Sequence, residues 1–247
     1  MNFFSLYKRY IKFLLKKKID IDLDPDFKEK NLEELFLFYG TDKADTWQNN
    51  KNLGHGYSKF YEKYFDSIRS KELKILEIGS FAGASAASFK KYFFNSEIYC
   101  VDINISNFKF SSKKISVHGL DVSNQKKVNK FLRKIGAKNK NFFDIIIDDG
   151  SHKLSDILIC LNTFIQNLNS NGVYIIEDFK LPNYHSHLND VNEYKIDELC
   201  QKIQQRENII SEILNAETIS MLQKNFTFKT YKGNLKESDI VFFKRSN

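Results

Sequence analysis

The sequence predicts an α/β chain: a doubly wound, mostly parallel seven-stranded sheet that ends in an antiparallel hairpin. Three observations predict it. From Leu73 onward the apolar runs "LKILEIG", "EIYCVDI", "KISVHGLDV", "FDIIIDDG" and "GVYIIEDF" alternate with helical patterns, the spacing of βαβ crossovers. Two further runs, "NFTFKTYKGN" and "SDIVFFKRS", are joined by a turn at Lys232 to Lys236, too short for a crossover and therefore a hairpin. Only two prolines and no internal repeat interrupt the 247 residues, so residues 1–68 read as a helical extension and lid and 69–247 as one large domain.

The first element, "MNFFSLYKRYIKFLLKKKID", places apolar residues at helical spacing among cations. Lys8, Arg9 and Lys12 break it up, so it is no transmembrane span. It also lacks the small-residue cleavage site of a signal peptide. Two readings follow: a basic amphipathic helix on an anionic membrane surface, or a helix packed on its own domain or a second subunit. The second is favoured because protein-docked helices are the commoner kind; membrane contact is not expected. Tyr57 to Ile68 reads as an amphipathic helix with Phe60, Tyr64 and Phe65 on its covering face, and Val191 to Gln223 as a long helical stretch.

Composition narrows the class. Three cysteines, Cys100, Cys160 and Cys200, are odd in number and show no CxxC spacing, which excludes a zinc knuckle and a secreted disulfide framework and implies a reducing cytoplasm. The net charge of +7 comes from lysines interspersed with acids, without a nucleic-acid-binding signature. The abundance of Lys, Asn, Ile and Phe equally fits an A/T-rich coding sequence, and an acidic, phosphate-bearing small substrate is compatible with the charge.

The first strand runs into "LEIGSFAGAS". Gly79 and Gly83 allow a sharp turn and close approach to a ligand, while Ser80 and Ser85 offer hydroxyls at the start of the next helix. Asp102 closes the next strand, about twenty residues on, where a carboxylate accepts both ribose hydroxyls. In "GLDVSN", Asp121 is placed to accept the adenine amino hydrogen with Val122 against the ring; the competing reading is a helix N-cap by Asp121 or Ser123. Phe81 stands where a dinucleotide fingerprint has its middle glycine, leaving little room for a pyrophosphate, and Glu77 adds a carboxylate. A ligand with an ammonium group and no phosphate fits: S-adenosylmethionine (SAM).

In "FDIIIDDGSH" an apolar strand drives straight into two carboxylates and an imidazole. Neighbouring parallel strands lie about 4.8 Å apart, so Asp148 and Asp149 are expected beside Glu177 and Asp178 of "YIIEDF". Four such carboxylates repel unless a hard cation joins them, and oxygen ligands suit Mg²⁺ or Mn²⁺. His152, with an ordinary pKa of about 6.5, reads as a lone residue more often as a helix-start or hydrogen-bonded structural histidine, but its place between the metal-ligand candidates and the cofactor loop favours a proton-removing role.

Together "EIGSFAGAS", "IIDDGSH" and "IIEDF", with the upstream "YGTDKA" and "HGYSKFYEKYF", resemble the bacterial metal-dependent SAM sugar O-methyltransferases of the macrolide-sugar, mycinamicin type, from Tyr39 to Phe179. The resemblance implies a Rossmann-like SAM methyltransferase fold, Asp149, Glu177 and Asp178 as metal ligands, His152 as general base, and two neighbouring sugar oxygens at the metal, one of them methylated. Asp148 joins the cofactor set. Gly54, His55, Gly56, Tyr57 and Tyr61 are then expected over the methionine end of SAM, with Thr41, Asp42 and Lys43 in a lid. Tyr184, His185 and His187 in "KLPNYHSHLNDVNEY" are the expected acceptor contacts.

The acceptor expected is a small-molecule sugar linked to a nucleotide diphosphate: a hexose or heptose for surface polysaccharide. A catechol-like or natural-product acceptor, a metallohydrolase and a non-catalytic SAM-binding protein stay open beside it. An oligomer is expected, because the N-terminal helix and the Gln201 to Leu222 segment each carry an apolar face.

Overall fold

Apolar runs flanked by turn residues become strands in the computed structural model, which describes residues 3–47, 51–138 and 141–246. Seven strands carry the architecture: β1 (Lys74–Ile78), β2 (Glu97–Asp102), β3 (Ile115–Gly119), β4 (Phe143–Asp148), β5 (Leu168–Ile176), β6 (Phe226–Lys232) and β7 (Asp239–Arg245). The backbone groups into two units, residues 1–120 with 233–236, and residues 121–232 with 237–247.

In the first unit β1 pairs in parallel with β2, and β2 in parallel with β3. Leu76, Val101 and Cys100 are fully buried, as the two-sided apolar character of parallel strands requires. Ahead of them run helices Phe3–Leu15, Leu32–Tyr39 and Ser58–Phe65. Asn31 and Glu34 cap the second reciprocally, the Asn31 side chain taking the Glu34 N–H at 2.8 Å and Glu34 taking the Asn31 N–H at 3.0 Å, which satisfies two orphan donors of its first turn. The third helix ends at Phe65, three residues short of Ile68, and a 3₁₀ turn, Asp66–Ile68, completes the expected span. Its Phe60 and Phe65 are buried, the Phe65 ring 5.6 Å from that of Tyr61 and 5.2 Å from that of Phe93, while Tyr64 of the expected covering face is partly exposed.

One pairing was not legible in advance. Ile19–Asp20 forms a two-residue parallel strand with Phe110–Ser111, and Asp22 accepts from the Ser112 hydroxyl at 2.7 Å and the Lys113 N–H at 2.9 Å. The helix Phe3–Leu15 docks on its own unit. Arg9 donates to the Ile103 carbonyl at 2.9 Å, Lys16 to that of Asn107 at 2.8 Å, and the rings of Phe13 and Phe108 meet edge to face at 6.5 Å.

In the second unit β4 pairs in parallel with β5, Asp148 opposite Ile176. The reversed strand β7 pairs with β5 and β6 as the expected hairpin, in register from Phe226↔Arg245 to Lys232↔Asp239. The helical stretch Val191 to Gln223 is two helices, Ile196–Gln205 and Ala216–Asn225. Arg206 breaks it in the left-handed region, φ 54°, and the Asn215 side chain caps the second helix by accepting the Thr218 N–H at 2.8 Å. Ile203, Leu214 and Leu222 are buried within this unit, so the apolar face expected at a subunit contact is occupied internally. Among the described residues no helix is long and apolar enough to cross a membrane.

Candidate active site

In the first unit the end of β1 turns into helix Ala84–Tyr92 through Gly79, φ 86°, and Gly83, φ 81°. Glu77 is almost fully buried at this turn and takes a short hydrogen bond from the Ser85 hydroxyl on its Oε1. Ser80, also buried, donates to the Glu77 carbonyl at 3.1 Å. Gly83 has a structural reason of its own: a Cβ there would stand 2.5 Å from the Phe108 ring. The space its missing side chain leaves is therefore filled by Phe108.

Asp102 at the end of β2 is held by two backbone donors, Phe81 N–H at 2.8 Å on Oδ2 and Asn104 N–H at 2.5 Å on Oδ1. A carboxylate accepts about four hydrogen bonds, so both oxygens keep capacity for hydroxyl donors. Phe81 itself is in the left-handed region, φ 40°, with its side chain exposed. Buried Cys100 has its thiol pKa pushed well up, first by burial and then by the Glu77 charge.

The two upstream motifs are one packed structure. Main-chain donors of Gly54, His55, Gly56 and Tyr57 bond carbonyls of Asp45, Asp42, Ala44 and Lys43 at 2.7–2.9 Å. A Cβ on Gly54 would lie 2.1 Å from the Ala44 oxygen, and one on Gly56 2.3 Å from the Asn234 side chain. These glycines thus serve segment-to-segment contact. His55 Nε2 lies 4.0 Å from Asp42 Oδ2, its ring 5.2 Å from that of buried Tyr57. Thr41 and Lys43 are buried beside them, and the Lys43 N–H reaches Thr41 Oγ1 at 3.5 Å.

In the second unit the ends of β4 and β5 bring Asp149, His152 and Asp178 together, each offering one ligand atom within 4.8 Å of the others. His152 Nε2 lies 3.7 Å from Asp149 Oδ1. His152, φ 57°, and Asp178, φ 51°, both adopt the left-handed region without being glycine, a conformation costing about 1–3 kcal/mol that persists where surroundings over-determine it. The two carboxylates are ligands suited to a hard divalent cation, while the imidazole beside them is a softer nitrogen donor. Glu177 falls outside this group; it is buried, and its N–H bonds the Asp148 carbonyl at 3.0 Å.

Asp148 turns into the interior, where the Tyr174 hydroxyl approaches Oδ2 at 3.4 Å. Burial, then the neighbouring Asp149 charge, push its pKa up to about 8. Asp121 folds onto Ser123, accepting its N–H at 3.2 Å and its hydroxyl at 2.6 Å. Neither residue caps the following helix, a correction to that reading: Asn124 does, taking the Lys127 N–H at 3.1 Å. Val122 lies partly exposed between them.

The expected acceptor residues sit in a polar cluster that includes partners with no signal in the sequence. Tyr184 donates to Asp239 Oδ2 at 3.3 Å, and His185 Nε2 lies 2.8 Å from Glu237 Oε1, with the His187 ring 5.7 Å from that of His185. Lys232, at 2.7 Å, and Lys180, at 3.6 Å, both pair with buried Asp239. These acids lie some fifty residues along the chain, and only the β6–β7 hairpin brings them here.

A crossover-linked parallel sheet with a reversed strand near its end, an acidic first-strand turn and carboxylates at later strand ends defines a Rossmann-like methyltransferase architecture. Residues 69–230 match the methyltransferase domain family, and the chain belongs to that family. Among curated proteins it is similar to 8-demethyl-8-alpha-L-rhamnosyl tetracenomycin-C 2'-O-methyltransferase of Streptomyces olivaceus, 28% identical over 156 residues, 60% of this chain and 38% of the relative. It is also similar to mycinamicin VI 2''-O-methyltransferase of Micromonospora griseorubida, 26% identical over 131 residues, 50% of this chain and 31% of the relative. The chain thus spans about a third of the length of these relatives. A solved structure of the MycE methyltransferase from the mycinamycin biosynthetic pathway, in complex with Mg, SAH and mycinamycin VI, superimposes with TM-score 0.65 at 20% identity, over 90% of this chain and 55% of that one. At that identity the likeness speaks for the fold.

Proposed function

We propose that the chain transfers the methyl group of SAM to a sugar hydroxyl with the help of a bound divalent metal. The observation that carries this reading is the Asp149–His152–Asp178 group inside a methyltransferase domain. Relatives named for O-methylation of rhamnosyl and macrolide sugars, and a fold neighbour named as a complex with Mg and SAH, support it.

Asp149 and Asp178 would hold Mg²⁺ or Mn²⁺; Glu177, the further carboxylate the family resemblance implies, lies outside that group. The metal, when bound, supplies positive charge that makes a nearby hydroxyl more acidic. His152 takes the hydroxyl proton on a ring nitrogen, and the Asp149 carboxylate beside it favours the imidazolium that forms. Glu77, Gly79, Ser80, Gly83 and Ser85 form the turn for the methionine end of SAM, and Asp102 takes the ribose. Asp121, Val122 and Asp148 complete the nucleoside side of the proposal, and residues 1–68, through Thr41, His55 and Tyr57, the lid. Methyl transfer is an in-line displacement at carbon, so positioning and exclusion of water are the remaining contributions.

The named relatives favour a sugar carried on a polyketide-type glycoside over a nucleotide-linked hexose or heptose for polysaccharide. Three buried free cysteines agree with a reducing cytoplasm, and self-association belongs to the same proposal. The test is methyl transfer from labelled SAM to rhamnosyl and related glycosides, nucleotide sugars and a catechol, each with and without chelator. Chelator-sensitive methylation of glycosides supports the reading. Product with the catechol alone, or undiminished turnover in chelator, overturns it.

A further inference from the structure

The helix Phe3–Leu15 is mounted the wrong way round for a helix that merely covers its domain. A surface helix ordinarily turns its apolar stripe inward and its charges outward. Here Arg9 and Lys16 point inward, donating to the carbonyls of Ile103, Ser106 and Asn107 at 2.8–3.3 Å, with Phe13 between them against Phe108. Tyr7, Tyr10 and Leu14, spaced so that they share the opposite face, are exposed, Leu14 to 54%, and Leu15 at the helix end is exposed to 82%. Exposed Lys8 and Lys12 flank this stripe along one side and Lys17 follows it.

We propose that this outward face rests on an anionic lipid bilayer, making the chain a peripheral membrane protein in spite of the sequence expectation against membrane contact. Aromatic and aliphatic side chains flanked by lysines are the pattern of a helix lying in the interfacial plane: tyrosine rings suit the headgroup level, and lysine stems reach back to lipid phosphates. The same charges argue against a second copy as the occupant. A two-fold contact through this face brings the same patch of both copies together, and with it two sets of cations and no acidic side chain on the helix to partner them. The proposal is independent of the catalytic reading, since none of these residues is among the metal-holding, base or cofactor-contacting residues named above.

The test is co-sedimentation of the full chain with vesicles of phosphatidylcholine alone or with added phosphatidylglycerol. Binding is expected to be roughly tenfold stronger with the anionic lipid and to fall as salt rises. Two double variants, Leu14→Ser with Leu15→Ser and Lys8→Glu with Lys12→Glu, should each lose about tenfold in vesicle binding while keeping the parent melting temperature, because the altered side chains face solvent. Equal sedimentation with both lipids, no sedimentation, or unaltered binding by the variants overturns the proposal. So does light scattering that shows a dimer dissociated by Leu14→Ser with Leu15→Ser in the absence of lipid, which would make a second copy the occupant.

Discussion

Asp149 Oδ1 stands 3.7 Å from His152 Nε2, across a turn that holds His152 at φ 57°. The turn aims the ring back at the carboxylate three residues earlier, against the backbone preference of histidine. Asparagine tolerates this φ region but has no basic nitrogen. His152→Asn should therefore fold normally and lose about 10²- to 10⁴-fold in kcat, with S-adenosylhomocysteine affinity close to the parent's by calorimetry. Turnover at the parent rate would remove His152 from the base role.

The two acids at the end of β5 separate structure from expectation. Asp178 lies with Asp149 and His152, whereas Glu177 lies outside that group. Asp178→Asn should weaken Mn²⁺ binding by roughly 10- to 100-fold or more, the scale on which even supporting residues act, read by paramagnetic resonance of free Mn²⁺. Glu177→Gln should weaken it less. Equal loss in both would give Glu177 the ligand role that the family resemblance implies.

Gly83 makes a prediction about stability. Its φ of 81° is a left-handed one, and an added Cβ would stand 2.5 Å from the Phe108 ring. Gly83→Ala combines backbone strain of about 1–3 kcal/mol with overpacking of about 1–3 kcal/mol. A lowered urea midpoint is the expected result. Phe108 is fully buried and Phe108→Ala alone costs about 3–5 kcal/mol, so the test is a double-mutant cycle. The double variant should lose less than the sum of the two single losses, by the overpacking share; strict additivity would show that the Phe108 ring imposes no overpacking.

What the sequence reveals and conceals follows from the range of the interactions. Ile145 to Ile147 and Val173 to Ile176 announce buried parallel strands because apolar runs are local signals, and carboxylates follow each strand whatever the register. Convergence of Asp149 and Asp178 was legible for that reason. Phe108 against Gly83, Asn234 against Gly56 and Asp239 between Lys180 and Lys232 were not, because each joins residues remote in sequence. The break at Arg206 was hidden for another reason: no glycine or proline marks it, and arginine rarely adopts that conformation. In the sequence, Gly79 and Gly83 of "EIGSFAGAS" read as a close approach to ligand, and Gly54 and Gly56 as part of a segment folded over the methionine end of SAM. For Gly54, Gly56 and Gly83, the room is taken by the protein itself.

Asp22 supplies a pH prediction. Burial raises its pKa, but the Lys113 N–H and the Ser112 hydroxyl, with Lys90 and Lys91 nearby, outweigh that and hold it below the usual carboxylate range. A carboxyl whose folded pKa is lowered stabilises the fold above its unfolded pKa of about 3.9, and that contribution disappears as pH falls through the folded value. Since these bonds tie the Ile19–Asp20 strand region to the segment entering β3, Asp22→Asn should lower the urea midpoint near neutral pH. The difference from the parent should persist to about pH 4 and close below it. Coincident curves down to the acid transition would show that the two donors bind Asn as well as Asp, so that the charge contributes nothing; a gap that widens with acid would reverse the sign argued for Asp22.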